Sequence, residues 1–159
     1  MTIQSYPHLK PQWIHLVWAS SQGQSWIPEA KAQVLTQRIK KACRLSGIYL
    51  DVISPQPEHL HILARPCDAA GLERLRKLLT QICHRFIQEY LSSFETKQIQ
   101  FEDWIQPIRV QDLGRFRRQL LRQDQIHTHQ NFEQEREDLG LSNSEDRCID
   151  WGQVNGLSS

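Results

Sequence analysis

Two prolines spaced two residues apart, Pro55 and Pro57, set the topology of this chain. Proline has no N–H to donate to a ladder, so SPQP (Ser54 to Pro57) predicts a turn. The segments on either side, IYLDVI (Ile48 to Ile53) and HLHILA (His59 to Ala64), are rich in β-branched and apolar residues and predict strands. A connection this short makes them an antiparallel hairpin. A helical pattern flanks the hairpin on each side. Upstream, Ala30, Val34, Leu35, Ile39, Ala42 and Cys43 recur at helical spacing, Pro28 suits the first helical position, and Gly47 suits the cap. Downstream, Asp68 predicts an N-cap. Leu72, Leu75, Leu78, Leu79, Ile82, Phe86, Ile87 and Leu91 then form an apolar stripe that ends near Ser92 and Ser93.

Two more strands complete the pattern. WIHLVW (Trp13 to Trp18) predicts a first strand, followed by the polar loop SSQGQS (Ser20 to Ser25). Phe101 to Val110 predicts a fourth, placed at a sheet edge by Pro107. From Asp112 a last helix is expected to run to about His127, with Leu113, Phe116 and Leu120 inward. The order βαββαβ, then α, predicts an α+β fold. The expected architecture is a ferredoxin-like or RRM-like antiparallel sheet with helices on one face and an extra C-terminal helix. The other face of the sheet is expected to be open. The length of 159 residues suits one domain over 1–141, followed by a polar, acidic and poorly ordered tail over 142–159.

Charge is segregated within a near-neutral total of +1. Lys31, Arg38, Lys40, Lys41 and Arg44 cluster without an acid. Arg109, Arg115, Arg117, Arg118 and Arg122 cluster against Asp112 alone, and residues 133–150 hold seven acids against Arg136 and Arg147. A globally basic coat is excluded, while local basic patches are not. No apolar run is long enough to span a bilayer, and MTIQSYPHLK lacks the apolar core of a signal peptide, so a cytoplasmic protein is expected. Cys43, Cys67, Cys83 and Cys148 are widely spaced and expected to be thiols, with Cys43 and Cys83 in the core.

His59 and His61 carry the chemistry. Side chains alternate along a strand, so the two imidazoles share a face while Leu60 and Ile62 enter the helix-covered core. Two imidazoles so placed can share a divalent cation with a third ligand from elsewhere. The alternative is two half-exposed polar residues. On the last helix, Arg115, Arg118 and Arg122 are spaced by three and four and share a face, with Gln119 and Gln123 beside it. That stripe suits phosphates, or else is a solvated basic face.

The segments WIHLVW, GIYLDVI (Gly47 to Ile53) and QPEHLHIL (Gln56 to Leu63), in that order, resemble the single-tyrosine HUH transposases. These are the transposases of the smallest bacterial insertion sequences and their repeat-associated relatives. The resemblance covers about residues 12–141 and is most specific at the two histidines. It implies metal-dependent cleavage and joining of single-stranded DNA in transposition, by a homodimer acting on DNA hairpins. It also implies Mg²⁺ or Mn²⁺ held by His59, His61 and Gln123, polarising the scissile phosphate. In the family a tyrosine on the last helix attacks to form a phosphotyrosine link.

Here the nucleophile position is Gln119, and an amide cannot replace a phenol. The tyrosines are Tyr6, Tyr49 and Tyr90, none of them on the last helix. The acid before the first histidine is Glu58, and LTQICH (Leu79 to His84) stands where the family has a lysine–glycine–serine segment. The expected protein is a transposase relative that binds single-stranded or hairpin DNA and has lost tyrosine-dependent cleavage. Its rivals are an active metal-dependent nuclease using another nucleophile, an RRM-like RNA binder, and a decayed reading frame. Homodimerisation is also expected from the first strand, read as an unguarded sheet edge.

Overall fold

The computed structural model describes residues 12–91 and 99–122. Strand β1 (Trp13–Ser20) is followed by a 3-10 turn (Glu29–Lys31) and helix α1 (Ala32–Leu45). Then come β2 (Tyr49–Pro55), β3 (His59–Arg65), helix α2 (Ala69–Tyr90) and β4 (Phe101–Ile108). A second 3-10 turn (Val110–Asp112) leads into helix α3 (Leu113–Leu121). The strands form one antiparallel sheet in the order β2-β3-β1-β4, the ferredoxin-like arrangement expected.

Local chemistry explains most of the boundaries. Gly47 takes φ +71, a left-handed conformation that suits glycine after a helix. The Asp68 carboxylate accepts the Gly71 N–H at 2.8 Å and caps α2. Pro28 precedes a 3-10 turn instead of opening α1 directly. β2 runs through Ser54 and Pro55, beyond the expected turn. It can do so because β2 is an edge strand, where a missing N–H costs no ladder bond. Pro107 is tolerated in β4 for the same reason.

The two faces of the sheet differ. Ile14, Leu16 and Trp18 of β1, Leu60, Ile62 and Ala64 of β3, and Ile105 of β4 pack with Leu35, Ile39 and Cys43 of α1. Leu72, Leu75, Leu79, Cys83 and Phe86 of α2 complete this main core. Trp26 joins it fully buried, its indole N–H donating to the Glu58 carbonyl at 2.7 Å. The second face is not open. Phe116 and Leu120 of α3 pack there with Trp13, Val52, Leu63 and Ile108, and Val17, Ala19 and Trp104 form another buried group. Burying a Leu or Phe side chain removes about 1.5–3 kcal/mol of exposure cost, so this second core holds α3 on the sheet.

Two expectations are corrected. β1 is a central strand, hydrogen-bonded to β3 and β4 with all eight residues buried, so it offers no edge for pairing with a second copy. α3 ends at Leu121, with Arg122 as its C-cap, short of the expected end near His127. Residues 123–127 and the acidic tail lie outside the described residues.

Candidate functional site: a buried histidine row beside a basic helix

His59 and His61 project from β3 onto the face that carries α3, as strand alternation requires. Neither is half-exposed: both are 0% exposed, as is His15 of β1. The three imidazoles form a row. His59 Nε2 lies 3.0 Å from His61 Nε2, and His61 Nδ1 lies 2.9 Å from His15 Nε2. The His15 and His61 rings lie edge to edge and nearly coplanar, with centroids 5.2 Å apart and 15° between their planes. At one end the Glu58 carboxylate approaches His59 Nδ1 to 3.3 Å. At the other, the Phe116 ring of α3 lies 5.9 Å from the His15 ring.

His15 escaped the sequence reading. Alternation along WIHLVW places it on the face of Trp13 and Val17, but only the pairing register brings it to His61. β1 and β3 pair Val17 with His61 and His15 with Leu63, so the two histidines are diagonal neighbours.

The metal implied by the resemblance can be tested against this geometry. Mg²⁺ and ions like it take octahedral ligands at about 2.0–2.1 Å, so ligands at adjacent corners lie about 3 Å apart. The Nε2 atoms of His59 and His61 have that separation. That separation suits two positions of such a site, and it is also the length of the hydrogen bond that joins the two rings in this structure. Among the described residues, no group of three or more His, Cys, Asp and Glu side chains forms a metal-holding set. Gln123, the expected third ligand, lies outside the described residues.

α3 places the arginines as the spacing predicts. Arg115, Arg118 and Arg122 are exposed, opposite the buried Phe116 and Leu120. Arg115 lies 3.6 Å from Asp112. Arg117 is tied instead to Asp51 of β2 at 2.6 Å. Gln119, the residue that the resemblance aligns with the family's nucleophile, is half-buried, one turn after Phe116.

Of the tyrosines, Tyr90 and Tyr49 are poorly placed for this site. Tyr90 lies in the helix layer, on the far side of the sheet, where its ring packs on Phe86 and its hydroxyl accepts from Arg38. Tyr49 shares the histidine face but sits at its far end, against Trp13 and opposite Arg65. Arg65 is four residues along β3 from His61, about 13 Å at strand rise. Tyr6 lies outside the described residues.

No protein-family model and no curated protein matches the chain. Among solved structures, it is similar to a Deinococcus radiodurans R1 protein named as a "putative transposase". The identity is 12%, over 77% of this chain and 98% of that one, with a TM-score of 0.56. It is also matched to a REP-associated tyrosine transposase bound to a REP hairpin, at 18% identity, over 73% of this chain and 68% of that one, with a TM-score of 0.46. At 12% identity the likeness to the Deinococcus protein is one of fold.

Proposed function

We propose that this chain is a transposase-like DNA-binding protein that engages single-stranded or hairpin DNA through α3 and lacks tyrosine-dependent strand cleavage. The observation that carries this reading is the placement of α3. Its inner side packs on the histidine face of the sheet, and its outer side exposes Arg115, Arg118 and Arg122. Guanidinium groups suit phosphate because of their planar fork, and phosphate contacts supply most non-specific affinity for nucleic acid.

Cleavage is a separate matter. Gln119 has no ionisable oxygen to attack phosphorus or to leave from it. His59 and His61 are sealed from solvent, which favours binding without cutting. Bound Mg²⁺ or Mn²⁺ would supply Lewis-acid polarisation of a phosphate, with His59 and His61 as its nitrogen ligands and Gln123 as the oxygen ligand that the resemblance implies. The 3.0 Å separation of the two Nε2 atoms favours a second reading, a metal-dependent nuclease with water as nucleophile. An RNA-stacking platform is less favoured, because Trp13 and Trp104 on this face are buried. A homodimer rests on the resemblance alone, since β1 is central in the sheet.

Fluorescence anisotropy with a labelled DNA hairpin across a salt series tests the reading. Replacing Arg115, Arg118 and Arg122 with Ala should flatten the slope of log K against log[salt] by up to about three phosphate contacts. An unchanged slope would remove α3 from the interface.

A further inference from the structure

His59 and His61 are arranged in one sense. Each turns Nε2 toward the other ring, and each turns Nδ1 toward a backing group. For His59 that group is the neighbouring Glu58 carboxylate at 3.3 Å. For His61 it is another imidazole, His15 Nε2, at 2.9 Å.

We propose that His15 is a positioning residue for the divalent-cation site: it holds the His61 ring through Nδ1 and leaves Nε2 of that ring to the ion. The proposal rests on the reading of His59 and His61 as a metal pair. A neutral imidazole that offers its Nε2 lone pair to a cation carries its proton on Nδ1, and that proton needs an acceptor in a buried site. His15 Nε2 stands at hydrogen-bond distance to take it. The support is rigid. His15 comes from a central strand bonded on both sides, is fully buried, and has Phe116 of α3 against its ring. An acceptor so placed fixes both the tautomer and the rotation of the His61 ring. The Glu58 carboxylate, 3.3 Å from His59 Nδ1, makes an electrostatic contact at the other end of the row. The two rings are therefore backed by different chemistry, a carboxylate and an imidazole. His15 also couples the pair to α3, because its ring lies between His61 and Phe116.

The test uses calorimetric titration with Mn²⁺ of the wild type, His15→Phe, His15→Gln and His61→Ala, with thermal melting of each as a fold control. Nitrogen-15 imidazole spectra of the wild type with saturating Mg²⁺ report the tautomers directly. His15→Phe should weaken Mn²⁺ binding about 10–100-fold. His15→Gln, whose amide oxygen can accept the same proton, should retain most of the affinity. His61 should carry its proton on Nδ1 in the Mg²⁺-bound wild type. Wild-type Mn²⁺ affinity in a folded His15→Phe variant would overturn the proposal, as would an Nε2-protonated His61 in the Mg²⁺-bound protein. If His15→Phe does not fold, His15→Gln and the wild-type spectra decide. Equal heats from wild type and His61→Ala would remove the metal pair itself. Mn²⁺ binding that is lost in His61→Ala but unchanged in His15→Phe would remove His15 alone.

Discussion

Arg117 of α3 and Asp51 of β2, 66 residues apart, form an ion pair at 2.6 Å where the β2–β3 register shifts. A bulge of this kind re-aims side chains. Here the irregularity lies between Leu50 and Val52, so Asp51 is the residue at the shift. The pair sits at the rim of the second core, beside Val52 of β2 and Phe116 of α3.

The pair should contribute less to stability than the packing beneath it. Both partners are partly exposed, so Arg117→Ala should cost about 0–1 kcal/mol in urea unfolding. Phe116→Ala removes a buried ring and should cost about 3 kcal/mol or more. The reverse ranking would mean that α3 is held by charge and not by burial.

Alkaline pH should destabilise the fold through its buried thiols. Burial pushes the Cys43 thiol up to about 11 from an ordinary 9.0, and raises Cys83 further in the same direction. Their neutral forms contribute stability that is present below pH 9.0 and lost as pH rises through the folded value, because the unfolded chain gives up its protons first. Melting curves between pH 8 and 11 should fall less steeply for a Cys43→Ala, Cys83→Ala variant than for wild type. Parallel curves would refute the assignment. Exposed Cys67 should react with iodoacetamide in the native protein well before either buried thiol.

Gln119→Tyr should place a phenol on α3 at the position where the resembling family carries its nucleophile. If the histidine pair holds a metal, this variant should gain a small amount of Mn²⁺-dependent cleavage of single-stranded DNA. The expected gain is small because His59 and His61 are buried and because, on the resemblance, LTQICH stands where the family has a lysine–glycine–serine segment. Efficient cleavage by the unmodified chain would show that another group attacks.

The hairpin, the caps and the face of each strand were legible because they depend on local chemistry. Pro57 falls in the turn, although Pro55 ends β2; Gly47 and Asp68 cap their helices, and alternation puts His59 and His61 opposite Leu60 and Ile62. Neighbour relations were not legible. WIHLVW lacks lysine and proline because it is buried on both faces, not because it is an unprotected edge, and an apolar run reads the same in either case. His15 joined the site only once the register set Val17 against His61. The second face was expected to be open because the inward residues of α3, though visible in sequence, do not say which face they cover. Phe116 and Leu120 close it over Trp13, Leu63 and Ile108.

A native and a denaturing gel, run on one sample, separate DNA binding from covalent strand transfer. Wild-type protein is incubated with a single-stranded DNA hairpin and Mn²⁺, and the sample is split between the two. The expected result is a shifted complex on the native gel that is abolished by replacing Arg115, Arg118 and Arg122 with Ala, and no protein–DNA species on the denaturing gel. A species that survives denaturation would contradict the loss of the nucleophile at Gln119, and the absence of any native complex at low salt would contradict DNA binding itself.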